Sequence, residues 1–336
     1  MKKLLTFALA LAMVCVCALA AAEMGPTLNF KLAENQPDGN PITEGMKMFA
    51  ELANKYTEGT VTIDVYSNGA LCDEASSMDQ LQLGSLDFSR VNTNSMASTI
   101  DEFGVFGMPY LFASTEQKYK ALDGEAGEYA MGLLDDYGMV GLYFWEAGAR
   151  CFYTTSKPIR SVEDLKGMKI RVQQTEVAIS MVRALGAEAT PMDYAEVFQG
   201  LQTGIVDGAE NDFVSYYTSG HYEVAKYYSL DQHMAPPAVL LMSKASWDKM
   251  TEAQQEAVRS LAGQLHGVGV VHGVGAHQAE GGAQFAGLLH DDGAFGEVGG
   301  HEHDVGLLAD ELGELGGEVL VAGAVLHIGN EFASEL

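Results

Sequence analysis

Between Gly148 and Asp212 the chain places two arginines, Arg150 and Arg171, 21 residues apart, followed by Asn211, 40 residues beyond the second. Each sits at the edge of a short apolar run: GAR ahead of CFYTT, the KIRV of GMKIRV, and DGAEND after LQTGIV. An arginine at a strand end, with glycine or turn residues close by, aims a planar five-donor fork into a cleft. That fork grips a carboxylate through two parallel hydrogen bonds. The plain alternative for each is a surface ion pair with an acid, because charged side chains are mostly exposed.

The elements that must hold these residues follow an α/β order. Leu28 to Ala33 reads as a strand, ENQPDGNP as a loop, and Ile42 to Tyr56 carries apolar residues at helical spacing. VTIDVY, from Val61 to Tyr66, alternates as a strand with one polar face. A helix from about Ser76 to Leu83 and a strand from Leu86 to Val91 complete a strand–helix–strand–helix–strand unit. Leu142 to Trp145 and Lys169 to Val172 begin a second unit. Its helices are expected at Val177 to Leu185, Tyr194 to Leu201 and His221 to Tyr227.

Bulk properties narrow the classes. A length of 336 residues accommodates two domains, and 47% hydrophobic with 19% charged residues describes a globular chain. Lys2 and Lys3 precede an apolar run from Leu4 to Leu19 and the small residues Ala20-Ala21-Ala22. That pattern reads as a cleaved secretory signal peptide over residues 1–22, with a retained anchor as the alternative. Neither Cys15 nor Cys17 follows the small residue of a lipoprotein site, and no later stretch is long and apolar enough to span a bilayer. Lys and Arg number 19 against 46 Asp and Glu, a net charge of −27, and cleavage of the leader removes two lysines more. Such a surface excludes nucleic acid and repels small anions at long range. An anion site here must be local, its arginines gathered in a low-dielectric cleft where salt screens little.

Cys72 and Cys151 remain after cleavage; they form either a disulfide or two partly buried thiols, and no metal-ligand spacing involves them. Beyond Arg259 there is no Lys or Arg at all, while residues 263–336 hold 18 of the 38 glycines and 7 of the 9 histidines. Leu307, Leu308, Leu312, Leu315, Val319 and Leu320 are spaced for a helix, although each interior glycine costs about 1 kcal/mol relative to alanine. His301 and His303 lack a carboxylate–histidine framework and read as scattered histidines, not a metal site.

GAR, SVEDLKGMKIRV, ALGAEATPMDYAEVFQGLQTGIVDGAEN and HYEVAKYY follow one another in an order and spacing that resemble the solute-binding proteins of TRAP (tripartite ATP-independent periplasmic) transporters. The likeness runs from about Leu28 to about Ala262. It implies an α/β, two-lobed periplasmic-binding-protein fold with crossing hinge strands and a long helix in the C-terminal half bracing both lobes. Lobe I would hold residues 23–148 plus about 236–276, and lobe II residues 149–235 plus about 277–336. The segment VLLMSK would return to the first lobe.

The resemblance also assigns roles. Arg171 would pair with a ligand carboxylate across the cleft, Arg150 and Asn211 would add donors to the same end, and Tyr194 would pack on the ligand's carbon skeleton. Tyr194 reads equally as a core aromatic. From the first lobe Asn92 is a polar pocket position, Arg90 shares its strand face, and Glu34 and Asn35 stand at the first strand's end, able to meet sugar hydroxyls. SRVNT, IVDGAEND and SYYTSGHYEVAKYYSLDQH look most like the branch binding glucuronate or galacturonate. Asp212 in place of a frequent second asparagine, and DQHMAPPAV without the usual acid after its proline, depart from that branch.

The expected function is therefore capture of an organic acid in the periplasm and delivery to TRAP membrane permease subunits, by a monomer without cofactor or catalysis. A C4-dicarboxylate binder of the same family, a secreted sugar-acid enzyme and a ligand sensor for a receptor are the alternatives. No G-x-S-x-G motif or nucleophile–base pair supports the enzyme, and GIVDG is not a dinucleotide fingerprint.

Overall fold

The computed structural model describes residues 24–265 and 318–320. In the first sheet β1 (Leu28–Ala33), β2 (Val61–Tyr66) and β3 (Phe88–Asn92) run parallel, joined by α1 (Pro41–Tyr56) and α2 (Glu74–Leu83). Parallel neighbours require such crossovers. Helix α1 starts where the Asn40 side chain accepts from the Ile42 amide at 3.0 Å, with Pro41 at the first helical position. Ile42, Met46, Phe49, Ala50 and Ala53 recur on one face and are buried. After α3 (Thr115–Leu122) and α4 (Glu125–Leu133), β4 (Met139–Trp145) leads out of this sheet.

The second sheet contains β5 (Arg150–Thr154), β6 (Lys169–Val172), β7 (Glu188–Pro191), β8 (Gly208–Asp212) and β9 (Tyr227–Ser229), with α5 (Glu176–Ala184), α6 (Val197–Thr203) and α7 (Phe213–Thr218) around it. The chain then returns, and β10 (Ala238–Ser243) inserts antiparallel between β3 and β4, giving the order β2-β1-β3-β10-β4. Every residue of AVLLMS is buried, as befits a central strand covered on both faces. Helix α8 (Glu252–Leu265) follows, and β11 (Glu318–Leu320) pairs parallel with β9, so the second sheet runs β11-β9-β5-β8-β6-β7. Each sheet is covered on both faces, which produces four separate apolar clusters.

Three expectations are corrected. Leu142 to Trp145, read as beginning the second unit, lies in β4 of the first sheet, where pairing with the returning β10 holds it. His221 to Tyr227 is not a helix: a short 3-10 turn spans His221–Glu223 and the chain then extends into β9, where Tyr153 pairs with Tyr228 and Thr154 with Tyr227. Ladder pairing beside β5 and the strand preference of Tyr-Tyr-Ser override the local helical spacing. Val319 and Leu320, read as the end of a helix, lie in β11, where the open edge of β9 offers backbone partners to an extended segment. Tyr194 to Leu201 begins as a 3-10 turn, Tyr194–Glu196, before α6. Cys72 and Cys151 are free thiols. The leader, His301, His303 and most of the expected bracing helix lie outside the described residues.

The two sheets are joined by two crossing segments that run side by side. Trp145 pairs with Ala238 at the end of β4, and Arg150 pairs with Met234 at the start of β5, its amide donating to the Met234 carbonyl at 2.7 Å. Gly148 lies between, at φ +80°, and a Cβ there would stand 2.6 Å from the Asp212 Cβ. Both the left-handed backbone and the close approach require glycine. Gly148→Ala is expected to cost about 1–3 kcal/mol, visible as a lowered Tm of the unliganded protein. An unchanged Tm would mean that this crossing carries no strain.

Candidate functional site

A cavity of about 250 Å³ opens where the strand ends of the two sheets face each other. Asn35, Glu74, Arg90 and Asn92 line it from the first sheet; Arg150, Arg171, Tyr194, Asn211 and Asp212 line it from the second. Glu34, expected here, does not; it turns behind the wall to Arg90. The cavity is at the small end for ligand pockets and fits a monosaccharide-sized molecule better than an oligomer.

Arg171 is 3% exposed on β6. Its Nε and Nη2 both donate to the Met192 carbonyl, at 3.0 and 2.7 Å, and Tyr194 stands beside it, ring centroid 5.9 Å from the guanidinium carbon. No carboxylate lies within ion-pair distance of it among the described residues, and Nη1 has no hydrogen-bond partner there. Burial lowers its pKa, Glu210 at longer range opposes that shift in part, and Arg150 nearby adds to it. Tyr194 is anchored through its hydroxyl to Ser219 Oγ at 2.6 Å, and burial pushes its pKa up to about 12. His221, whose Nδ1 meets the Tyr153 hydroxyl at 2.8 Å, is held neutral: burial and then Arg171 bring its pKa down to about 3.

Arg150 is differently placed, for its fork is already engaged. Nε and Nη2 bond the Glu210 carboxylate, Nη2 also donates to the Glu210 carbonyl at 2.7 Å, and Nη1 donates to Asn211 Oδ1 at 2.6 Å. Asn211 Oδ1 accepts from the Asp212 amide as well, at 3.0 Å, which leaves the Asn211 amide hydrogens without a protein partner among the described residues. Behind Glu210, His233 Nδ1 lies 2.5 Å from Asp231 Oδ2, and His233 Nε2 lies 3.7 Å from Glu210 Oε2, an ion-pair distance rather than a hydrogen bond. Burial alone would raise the Glu210 pKa, but Arg150 and His233 bring it down to about 2. Burial would lower that of His233, and Asp231 with Glu210 instead push it up to about 9.

On the opposite wall Arg90 is likewise spent. It bonds Glu34 through Nε at 2.9 Å and through Nη2, Asn35 Oδ1 through Nη2, and Glu74 Oε1 through Nη1 at 2.8 Å. Asn92 Oδ1 accepts from the Asn94 amide at 3.0 Å and from Gln173 Nε2 at 3.4 Å. Gln173, just after β6, also receives Asn94 Nδ2 at 3.0 Å, so amides from the two sheets meet directly. Sequence reasoning missed Glu74, Glu146, Gln173, Glu210 and His233. Glu146 accepts from Lys118 Nζ at 2.6 Å and from the Gly148 amide at 2.9 Å, at the start of the crossing. The available signal was a glutamate directly after the apolar LYFW strand, where burial demands a partner.

Buried charge around the cavity therefore balances in pairs: Arg90 with Glu34, Lys118 with Glu146, Arg150 with Glu210, and His233 with Asp231. Among the described residues, no group of three or more His, Cys, Asp or Glu is placed to hold a metal, and no helix is long and apolar enough to cross a membrane.

Residues 32–269 match the model of the bacterial extracellular solute-binding protein family 7. A solute-binding protein of Chromohalobacter salexigens is 35% identical over 257 residues, 73% of this chain and 76% of its own. The C4-dicarboxylate-binding periplasmic protein DctP of Rhodobacter capsulatus is 32% identical over 232 residues, 69% of each chain. The structure of a TRAP periplasmic solute-binding protein from a Sulfitobacter species, solved with bound β-D-galacturonate, superposes with a TM-score of 0.76 at 31% identity, covering 91% of this chain and 93% of the other.

The Glu210–His233 contact has a pH consequence. A histidine raised from 6.5 to about 9 contributes stability that is complete below pH 6.5 and is lost as pH rises through 9. Glu210, lowered from 4.5 to about 2, contributes stability present above pH 4.5 and lost as pH falls toward 2. His233→Gln is expected to flatten the alkaline fall of Tm between pH 6.5 and 9 and to weaken the acid limb in part, Arg150 keeping the remainder. Parallel Tm profiles for the two proteins over that alkaline window would refute the protonated His233.

Proposed function

Because the chain belongs to the bacterial extracellular solute-binding protein family 7, whose members bind organic acids and work with TRAP membrane permeases, we propose that it captures a hydroxylated sugar acid, a hexuronate first among them, and delivers it without chemical change. The observation that carries this reading is the state of Arg171. A buried cation without a counter-charge is expensive, and an incoming carboxylate supplies what the fold withholds. Arg171 Nη1 and the Asn211 amide supply the donors, and the spent guanidinium of Arg150 holds Asn211 in place. Charge-assisted bonds contribute about 1.5–3 kcal/mol each, so a few of them provide much of the roughly 8 kcal/mol of a micromolar complex. Asn35, Asn92 and Gln173 are amides that both donate and accept, as hydroxyl groups require. Tyr194 offers its ring to the carbon skeleton.

We take residues 1–22 as the cleaved leader that sends a monomer to the periplasm. Among the described residues, 24–148 with 236–265 make one lobe, and 149–235 with 318–320 the other. The paired crossings near Trp145–Arg150 and Met234–Ala238 are then the hinge, and closure on the ligand is the state a permease distinguishes. In the cavity Ser95 Oγ donates to Glu74 Oε2 at 2.5 Å, but that carboxylate is ion-paired with Arg90 and so is a weak base, which disfavours the enzyme reading.

Arg171→Ala is expected to lower affinity for galacturonate or glucuronate about tenfold or more, a loss of about 1.4 kcal/mol or more, with the unliganded Tm nearly unchanged. Arg150→Ala, which strands Glu210, is expected to lower the unliganded Tm as well. Calorimetry and thermal melts read both. Unaltered affinity in Arg171→Ala would remove the carboxylate assignment, and conversion of the ligand during incubation, followed by NMR, would favour an enzyme.

A further inference from the structure

Two buried charges of this cavity stand outside the ion-pair ledger. One is Arg171. The other is Asp212, 8% exposed at the end of β8, with no cation within ion-pair distance among the described residues. Asp212 Oδ1 accepts from the Ser215 amide at 2.9 Å; burial raises its pKa, and contacts with Ser215 first and the charge of Arg150 after them oppose that rise. The two lie in one cavity, beyond ion-pair distance of each other. The remaining lining cations among the described residues, Arg90 and Arg150, are committed to carboxylates.

Resting on the acid-binding reading above, we propose that Asp212 is a specificity-determining residue that restricts this site to acids with a single carboxylate. The cavity has one unspent cation to receive one carboxylate. A second carboxylate would meet Asp212 in a medium where like charges are poorly screened, with no unpaired cation among the described lining residues to neutralise it. A hydroxyl at the same place donates a hydrogen bond to the Asp212 carboxylate, a charge-assisted contact. Asp212 thus rewards the hydroxyl and rejects its oxidised counterpart. A zwitterion would also balance the two charges, but the neutral amides Asn35, Asn92 and Gln173 around them suit a chain of hydroxyls.

The matched probes are D-galacturonate and D-glucuronate against their C1,C6 diacids, galactarate and glucarate, with glycine betaine as the zwitterion. Calorimetry on the full mature chain compares the wild type with Asp212→Asn, which keeps a side-chain oxygen to cap α7 and removes the charge. The wild type is expected to favour a uronate over its diacid by about 100-fold, and Asp212→Asn to reduce that ratio by about tenfold or more, with weaker uronate and stronger diacid binding. An unchanged ratio in Asp212→Asn, or wild-type binding of both acids alike, overturns the role of Asp212 and leaves the carboxylate site standing. A wild type that binds none of the acids overturns the acid-binding reading and this inference together, and preference for the zwitterion overturns the hydroxyl assignment.

Discussion

A guanidinium set in a cavity wall without an ion-paired carboxylate is the constraint on which the rest of this molecule turns. Arg171 keeps its charge at physiological pH, because a guanidinium is not deprotonated in proteins. The fold nevertheless holds it on β6, its donors only partly satisfied by the Met192 carbonyl. A protein with such an excess of acids could readily have supplied a carboxylate. Pairing every neighbouring buried cation and leaving this one open makes the empty site the costlier state, a cost that the proposed acid ligand would relieve.

The surrounding machinery keeps Arg171 open and in place. Glu210 neutralises Arg150, so Arg150 orients Asn211 without drawing the ligand's charge entirely to itself. His233 and Asp231 come from the returning crossing and brace Glu210 from behind. The first sheet spends Arg90 on Glu34 and Glu74 in the same manner. Strand ends from two sheets meet over two antiparallel crossings, the proposed hinge, and Gln173 touches Asn92 and Asn94 across the gap. Motion of the lobes about that hinge would change the polar contacts of both walls at once.

Much of this was legible because strand periodicity and turn chemistry are local. β1, β2 and β6 fall where alternation and apolar runs placed them. Arg150, Arg171 and Asn211 lie at strand positions facing one cavity because glycine and turn residues flank them. Glu34 was misread, since a strand-end glutamate looks solvated until Arg90, two strands away in sequence, is known to point at it. Glu210 and His233 escaped for the same reason: their partnership joins residues whose proximity only the sheet order creates. The stretch His221 to Tyr227 failed because ladder pairing with β5 outweighs helical spacing over so few residues.

The most direct test of the unpaired Arg171 is to hold the ligand's shape and remove its charge. Calorimetric affinities of D-galacturonate and D-glucuronate are compared with those of their neutral C6 carboxamides, at fixed pH and salt. Loss of the charge-assisted contacts, about 1.5–3 kcal/mol each, should weaken the amides by about 100-fold. Equal affinity for acid and amide would contradict the account, because the buried guanidinium would then have no part in holding the ligand.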